Sequence, residues 1–450
     1  MKVAIVGSGI SGLAAAHTLQ NEGQGAHAVT LFEAGDYFGG HTHTVDLTLP
    51  GPSGPVTHGV DTGFLVFNER TYPGLIALFA QLGVETVHSE MSFSVQVRSQ
   101  QIRDAMEWSG TSLSSVFAQR KNLVNWRFWR MLRDLRRFNA LCNVMVARGD
   151  ASQLRQPLGE FLEQQKFSPE FADWYFLPMV ASIWSCPTRQ MLAFPVSTMI
   201  RFCHNHGLLQ ISNRPQWWTV RGGAKHYVER IVSGLSDKRL NTPVQSIERL
   251  ASANTGGVRI ITAAGAEYFD KVIIATHPNQ ALDMLAVPSA FEVRTLGAIR
   301  FHPNRAVLHT DESVLPTRKS AWAAWNYERS DNTLRSSSSP ESNAGSDVCL
   351  HYLINRLQPL PWQQSVIVSL NPVRKISADQ ILGEFDYAHP VFDHAAVKAQ
   401  RQVAWLQGQQ NTFYCGAWMG YGFHEDGLAA GVNAARYAMG QLPEKSVENE

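Results

Sequence analysis

Short apolar runs and glycine-rich turns alternate along the first forty residues. The run Lys2–Val6 predicts a buried parallel strand, and the run Ala28–Phe32 predicts a second one. Between them, residues 10–19 carry apolar side chains at helical spacing. The order strand, helix, strand is that of a βαβ unit, which predicts a parallel sheet.

The turn between the first strand and the helix carries Gly7, Gly9 and Gly12. Gly7 suits a tight turn, Gly9 the close approach of a pyrophosphate, and Gly12 the close packing of helix on sheet. The helix N-terminus favours the negative charge of that group. Glu33 follows 21 residues after Gly12, where a carboxylate can accept hydrogen bonds from ribose hydroxyls. The pattern predicts a dinucleotide site that disfavours NADP.

Beyond this unit the periodicity changes twice. Residues 100–205 show helical periodicity and are rich in Trp and Phe, whereas residues 286–405 mix strand and turn patterns. Residues 242–248 and 258–260 alternate like an antiparallel hairpin. The polar, low-complexity stretch 335–347 predicts a mobile loop without chemistry.

Four further segments, taken with the dinucleotide site, resemble the motifs of a known protein family. They are the pair Gly39–Gly40 and the stretches 61–64, 271–276 and 413–431. With the βαβ unit, they resemble the flavin amine oxidase superfamily, which also holds protoporphyrinogen oxidases and phytoene-type desaturases. The resemblance implies FAD as cofactor. Two positions depart from the pattern: His41 stands where an arginine usually follows the glycine pair, and Ala417 where an acid is usual.

The resemblance covers nearly the whole chain and implies an α/β fold. It implies a discontinuous Rossmann-type FAD domain over 1–95, 213–285 and 408–450. A mixed α+β substrate domain would take 96–212 and 286–407, with its helical part at about 100–205. The predicted cofactor-binding residues are Gly7, Gly9, Ser11, Gly12, Glu33, Gly39, Gly40, His41, Gly63, Phe64, Val244, Thr276, Gly416, Gly427 and Leu428.

The segments 322–327, 355–358 and 420–427 are similar to a subgroup of uncharacterised NAD/FAD-binding amine-oxidase-like proteins. That subgroup resembles the flavin domain fused to plant cyclopropane fatty acid synthases. The analogy implies an acyl-lipid substrate, on the strength of fold and context.

Composition narrows the class of protein. The 450 residues are 44% hydrophobic and 17% charged, which is typical of a globular protein with a large core. A net charge of +1 disfavours nucleic acid as a partner. Five cysteines without CxxC spacing, and histidine pairs at 41/43 and 204/206 without a third ligand, predict neither disulfides nor a metal. With no signal peptide and no membrane-spanning apolar run, we expect a cytoplasmic protein.

A basic segment at 119–140 is the sharpest feature outside the cofactor motifs. It has seven basic residues and one acid, and apolar residues at 124, 128, 131, 135 and 138 share one predicted helix face flanked by Trp126 and Trp129. Such a helix suits peripheral contact with an anionic membrane. The alternative is a surface helix of the substrate domain with a solvated arginine face.

His424, Trp325 and Tyr327 are the predicted catalytic or substrate-facing residues. His424 precedes a C-terminal helix predicted to begin near Gly427, with Asp426 as its cap. Trp325 and Tyr327 lie in a strand-like segment, where sheet core is the alternative role. The turn at 184–187 is expected near the same cavity.

These observations predict an FAD-dependent oxidoreductase of the amine oxidase type. It would remove two electrons from a C–H bond by hydride transfer to flavin N5, on an acyl lipid or another apolar substrate. One alternative is an amine oxidase acting on a small amine or polyamine, although the middle of the chain is basic. Another is a non-catalytic flavin-containing partner of a lipid-modifying methyltransferase.

Overall fold

The computed structural model describes residues 1–98, 105–149, 156–210, 214–250, 256–330 and 348–441. The polar stretch 335–347 lies outside these residues. No helix in the described ranges is both long and apolar enough to cross a membrane.

The described strands are β1 (Lys2–Val6), β2 (Ala28–Phe32), β3 (Thr44–Gly51), β4 (Gly54–Asp61), β5 (Phe67–Asn68), β6 (Thr86–Ser89), β7 (Phe93–Arg98), β8 (Met106–Ser109), β9 (Trp217–Val220), β10 (Asp237–Arg239), β11 (Ser246–Leu250), β12 (Gly257–Thr262), β13 (Gly265–Phe269), β14 (Lys271–Ile274), β15 (Phe301–His309), β16 (Trp325–Ser330), β17 (Cys349–Leu353), β18 (Ile367–Leu370), β19 (Ile381–Pro390) and β20 (Thr412–Tyr414). The described α-helices are α1 (Ile10–Asn21), α2 (Pro73–Leu82), α3 (Leu113–Val116), α4 (Trp126–Ala147), α5 (Leu158–Gln164), α6 (Pro169–Phe171), α7 (Leu177–Trp184), α8 (Thr188–Met191), α9 (Val196–Asn205), α10 (Lys225–Ser233), α11 (Pro278–Met284), α12 (Ala290–Leu296), α13 (Ile354–Leu357), α14 (His394–Gln402) and α15 (His424–Ala438).

A five-stranded parallel sheet, in the order β10-β2-β1-β14-β20, forms the nucleotide-binding half of an α/β fold. β1 pairs in parallel with β2 on one side and β14 on the other, so Val6 lies between Phe32 and Ile274. Apart from the edge strand β10, which is charged and partly exposed, the strands are mostly buried, which explains their largely apolar sequences. Three distant parts of the chain supply this sheet.

Helices α1 and α15 pack against each other beside the sheet. A Cβ on Gly431 would overlap the backbone carbonyl oxygen of Ser11, and one on Gly427 would lie 2.7 Å from Cγ2 of Ile10. Glycine at both positions therefore allows the two backbones to approach closely. The contact brings the N-termini of both helices to the same edge of the sheet.

The second half is built on a seven-stranded sheet, in the order β19-β15-β18-β17-β16-β7-β8. Helices α3 to α9 cover it, as the helical periodicity of residues 100–205 predicted. Aromatic side chains of these helices, among them Phe128, Phe138, Phe171 and Phe176, are fully or almost fully buried in one large core with the sheet. The helical part is therefore packed as a single unit with the sheet.

The hairpin predicted around residue 250 is present. β11 and β12 pair antiparallel, and β13 adds a third strand. β11 begins at Ser246, so the predicted start at residue 242 was too early: Thr242 donates its backbone N–H to the carbonyl of Glu33 instead. Val244 is buried in this connection.

Candidate functional site

A cavity of about 280 Å³ lies at the carboxyl ends of the parallel strands. Residues following β1, β14 and β20 form one side of it, and residues of β16, β17, β19, α7 and α9 form the other. Ligands of open parallel sheets bind outside the carboxyl ends of the strands, at the point where the strand order reverses. Here that point lies between β1 and β14. The cavity therefore joins the nucleotide-binding half to the second sheet.

The turn after β1 has the geometry expected for a pyrophosphate. Gly7 has a φ of +99°, which favours glycine. Gly9 caps α1 and lines the cavity, and a Cβ placed on it would meet no atom within 4 Å. The open space beside Gly9 is thus on the ligand side of the backbone, at the positive end of the helix dipole.

Glu33 holds the loops around this turn in place. Its carboxylate accepts hydrogen bonds from the backbone N–H of Ser8 (2.9 Å), the Ser8 hydroxyl (2.5 Å) and the N–H of Gly35 (2.9 Å). The Ser8 oxygen in turn accepts from the N–H of Gly39, at 3.1 Å. The predicted ribose acid therefore also links the first glycine loop to the second.

His41 lies buried in the cavity wall, at the position where the family resemblance leads one to expect arginine. Its Nε2 has no hydrogen-bond partner among the described residues. Burial lowers the pKa of His41 to about 4, so it is neutral at pH 7. The open glycine turn, two helix N-termini and this unpartnered imidazole nitrogen fit an extended FAD.

His424 is the first residue of α15 and lines the cavity. Its Nε2 lies 2.9 Å from the Thr42 hydroxyl and 3.4 Å from that of Tyr227, and its ring stacks on Phe64 with centroids 3.7 Å apart. Burial lowers its pKa to about 3. His424 is therefore a neutral, firmly oriented imidazole at physiological pH, suited to holding a ligand and too weak a base to take up a proton there.

The predicted start of this last helix was wrong. The helix begins at His424, one turn before Gly427, and Asp426 lies inside its first turn. The carboxylate of Asp426 accepts a hydrogen bond from the N–H of Phe423 at 2.9 Å. Asp426 therefore pairs with a free backbone N–H at the helix start although it lies inside the first turn and not at the N-cap position.

Three further histidines surround His41 or line the same cavity. The rings of His277 and His389 lie 6.4 and 5.3 Å from that of His41, and His206 lies on the opposite wall. Burial lowers the pKa of His277 and His206 to about 4, and that of His389 well below its usual value. The described lining contains no Asp, Glu, Lys or Arg, so the wall carries no formal charge at pH 7.

The predicted site residues divide between the cavity wall and its supports. The wall contains Gly9, Ser11, Gly39, His41, Gly63, Phe64, Thr276, Gly416, Trp325 and His424. The described lining does not include Gly7, Gly12, Glu33, Gly40, Val244, Gly427, Leu428 and Tyr327. Gly7, Gly12 and Gly427 act through packing, since a Cβ on each would lie at 3 Å or less from neighbouring atoms. Tyr327 is buried in the large core.

Several wall residues had no signal in the sequence. Tyr352 packs edge-on against Trp325 with centroids 5.1 Å apart, and Phe202 stacks on Phe423 at 5.2 Å. The turn at 184–187 does reach the cavity, through Ser185, whose φ of 51° is in the left-handed region. Elements far apart in the chain supply these side chains, which is why no local motif marks them.

The second sheet contains a buried polar cluster away from the cavity. The ligand atoms of Glu328, Cys349 and His351 lie within 4.8 Å of one another. His351 contacts Glu328 at 2.9 Å and the Ser369 hydroxyl at 2.6 Å, and Arg374 forms an ion pair with Glu328. Arg374 supplies a positive charge at the Glu328 carboxylate, so hydrogen bonds and this ion pair hold the cluster together. Sequence reasoning missed it.

Asp61 connects the segment 61–64 to two distant elements. Its carboxylate accepts hydrogen bonds from the Thr44 hydroxyl (2.5 Å), the N–H of Ala224 (2.9 Å) and the side-chain amide of Gln358 (2.7 Å). Despite these donors, burial raises the pKa of Asp61 to about 7. We call Asp61 with these three donors the latch. Its carboxyl binds a proton more tightly in the folded than in the unfolded chain.

We expect this latch to make stability depend on pH. A carboxyl with a raised folded-state pKa contributes stability below its unfolded pKa, and that contribution is lost as pH rises through about 7. Between pH 5 and pH 8 the loss amounts to about 2–3 kcal/mol. The buried histidines with lowered pKa values change stability in the opposite sense, and they do so equally in wild type and Asp61→Asn. Urea unfolding should therefore show the loss as a change, between the two pH values, in the difference in unfolding free energy between the two proteins. The exposed Asp379→Asn is the control; an identical pH response in Asp61→Asn would contradict the assignment.

Comparison with known proteins agrees with this site. The family model described as flavin containing amine oxidoreductase matches residues 10–358. No curated protein matches the chain by sequence. Three solved structures share its fold over nearly their full length. A CLA-producing fatty acid isomerase from P. acnes has 15% identity and a TM-score of 0.64, covering 97% of this chain and 98% of that one. Putrescine oxidase bound to putrescine has 15% identity and a TM-score of 0.64, and the match covers 98% of this chain and 100% of that one. Cyclohexylamine oxidase from Brevibacterium oxydans has 16% identity and a TM-score of 0.65, and the match covers 97% of this chain and 98% of that one.

The matched region contains the first helix of the βαβ unit, the second glycine pair and the latch at Asp61, and it ends at Gln358. The fold, the cofactor motifs and the cavity between the two sheets point to the same chemistry. The chain belongs to the flavin containing amine oxidoreductase family, and it is an FAD-dependent oxidoreductase.

Proposed function

We propose that this enzyme oxidises an apolar substrate, an acyl chain carried by a lipid, in the cavity between its two sheets. The observation that carries the proposal is the uncharged wall. The part of the cavity facing away from the glycine turns is lined by aliphatic and aromatic side chains, namely Met91, Ile183, Phe202, Leu208, Trp217, Trp325, Tyr352 and Phe423.

The same wall disfavours an amine. A protonated amine or polyamine loses its hydration on entering a buried cavity, and this loss is offset when a carboxylate lies nearby. The described lining offers no carboxylate, and its five histidines are neutral at pH 7. An alkyl chain needs no such partner, because burying it is favourable in itself. The resemblance of the fold to a fatty acid isomerase is compatible with this choice.

FAD, when bound, supplies the electron-accepting chemistry, taking two electrons with a hydride from a substrate C–H bond. The protein's part is to bind, orient and exclude water. Gly9, His41 and the start of α15 would hold the cofactor, while Trp325 and Tyr352 confine the chain beside it. Desaturation also releases a proton from the neighbouring carbon. With its pKa lowered to about 3, His424 is too weak a base to take this proton at pH 7, so it would orient the substrate while the proton leaves to solvent.

The experiment is anaerobic mixing of the holoenzyme with defined substrates while the oxidised flavin band is followed. We expect bleaching by a phospholipid with unsaturated or saturated acyl chains, and none by putrescine or cyclohexylamine at the same concentration. Bleaching by an amine alone would overturn the proposal. Photoreduction without bleaching by either class would favour a non-catalytic partner of a lipid-modifying methyltransferase.

A variant pair tests the cavity wall itself. Ile183→Asp places a carboxylate in the lining. It should slow reduction of the flavin by the acyl substrate at least ~10-fold, because the apolar chain would then lie against a buried charge or the water that hydrates it. Ile183→Leu keeps the wall apolar and should stay within a factor of about three. The flavin spectrum should be unchanged in both. Equal rates in the two variants would place the substrate elsewhere.

A further inference from the structure

The basic segment at 119–140 forms a surface different from the one its periodicity predicted. Phe128, Met131 and Phe138, the apolar face of the predicted membrane helix, are buried in the core. Leu135 packs partly against the same core. This face is therefore occupied by the protein, and membrane contact through it is excluded in the folded state.

Large apolar side chains are instead exposed where α4 begins. Val124 is 87% exposed, Trp126 65% and Trp129 49%, and Leu123 is 50% exposed. We call these four residues the apolar tip. Scattered exposed apolar residues are common on proteins, but four within seven consecutive positions around a helix start form a cluster.

Hydrogen bonds and ring contacts hold the two tryptophans of the apolar tip. The indole N–H of Trp129 donates to the carbonyl of Leu123 at 2.9 Å, and its ring packs against Phe117. The Asn125 side chain caps α4 by accepting from the N–H of Arg127, at 3.1 Å. The guanidinium of Arg130 lies over the Trp126 ring, 4.9 Å from its centroid. The exposed indoles are thus presented in fixed positions.

Positive charge surrounds the apolar tip. Glu170 is paired with both Arg127 and Arg130, and Asp134 with both Arg133 and Arg137, so each local acid faces two arginines. These acids are buried, whereas the side chain of Arg133 is 71% exposed. Arg120 and Arg136 are also exposed and form no ion pair within the described ranges. The surface carries a strong excess of positive charge although the whole chain is nearly neutral.

We propose that the apolar tip and its surrounding arginines dock the enzyme on an anionic phospholipid surface. Charge complementarity selects the occupant: arginines attract the anionic headgroups, and tryptophan suits the interface because its ring is apolar and its N–H polar. The proposal stands without the proposed function. If both hold, the docked enzyme would meet its acyl substrate where that substrate resides.

The test is sedimentation of the holoenzyme with vesicles. We expect it to pellet with vesicles of equal parts phosphatidylcholine and phosphatidylglycerol, less so at high salt, and weakly with phosphatidylcholine alone. Val124→Ser combined with Trp126→Ser should reduce the bound fraction at limiting lipid by about tenfold. Val287→Ser combined with Trp405→Ser is the matched control, since those residues are 79% and 67% exposed elsewhere.

A second variant pair separates charge from apolar contact. Arg120→Glu with Arg136→Glu should abolish the preference for phosphatidylglycerol, whereas Lys398→Glu with Arg401→Glu, the same change of charge on α14, should keep it. Circular dichroism and flavin content check that each variant is folded. Unchanged pelleting of both tip variants would overturn the proposal. So would binding to a short RNA at the same salt without binding to vesicles.

Discussion

Replacing Gly9 by valine should yield a folded protein that has lost its flavin. The backbone at Gly9, with φ −63° and ψ 175°, is open to any residue, and a Cβ there meets no protein atom within 4 Å. The added side chain would instead occupy the place of the pyrophosphate. We expect FAD affinity to fall at least ~100-fold, equivalent to about 3 kcal/mol.

The measurement is flavin content after purification, followed by titration of the apoprotein with FAD. The unfolding free energy of the apoprotein should fall by no more than about 1 kcal/mol, since the Cβ meets no protein atom within 4 Å and valine is disfavoured at the N-cap by about that amount. Gly9→Ala should fall between wild type and valine. A yellow Gly9→Val protein of normal affinity would remove the pyrophosphate from this turn and with it the assignment of the cofactor's position.

Valine at Gly431 should have the opposite signature, a loss of the fold itself. Its Cβ would overlap the carbonyl oxygen of Ser11 and lie 3.0 Å from the Cβ of Ala14, so α1 and α15 could not pack as they do. Backbone atoms cannot move aside as side chains can, and overpacking at such a contact costs more than about 3 kcal/mol. We expect insoluble protein, or protein with a much lower unfolding temperature.

Ala429→Val is the control for Gly431→Val. Ala429 is exposed on the same helix, so it has the same cost of β-branching without the contact. It should express and bind FAD normally. Normal folding of Gly431→Val would mean that the two helices are further apart than described. Together with Gly9→Val, these variants separate glycines that make room for the ligand from glycines that make room for another helix.

Contiguous motifs were the part of the fold that sequence could predict. The βαβ unit, its three glycines and the β11–β12 hairpin depend on residues within a few tens of positions, where turn geometry and alternation are local. The cavity wall is different. His389, Tyr352 and Phe202 come from β19, β17 and α9, and only the pairing of strands brings them to one place.

Two segments show what periodicity leaves open. Trp325 and Tyr327 share a face of β16, yet only Trp325 is in the described cavity lining, because two residues along a strand span about 7 Å. In α4, the apolar face predicted for a membrane is indeed an apolar face, but other helices cover it. An apolar pattern predicts that one face of a helix will be buried, but it does not indicate whether protein or membrane covers that face.

The order of the parallel sheet also constrains when the enzyme can acquire its cofactor. β1 and the turn at Gly9 are made long before the residues that complete the cavity, which follow β20 and lie in α15, beginning at His424. At about 5–20 residues per second, a ribosome needs tens of seconds to travel between them. We therefore expect flavin to bind only after α15 has been made, so that the nascent chain carries an unfinished nucleotide site for that time.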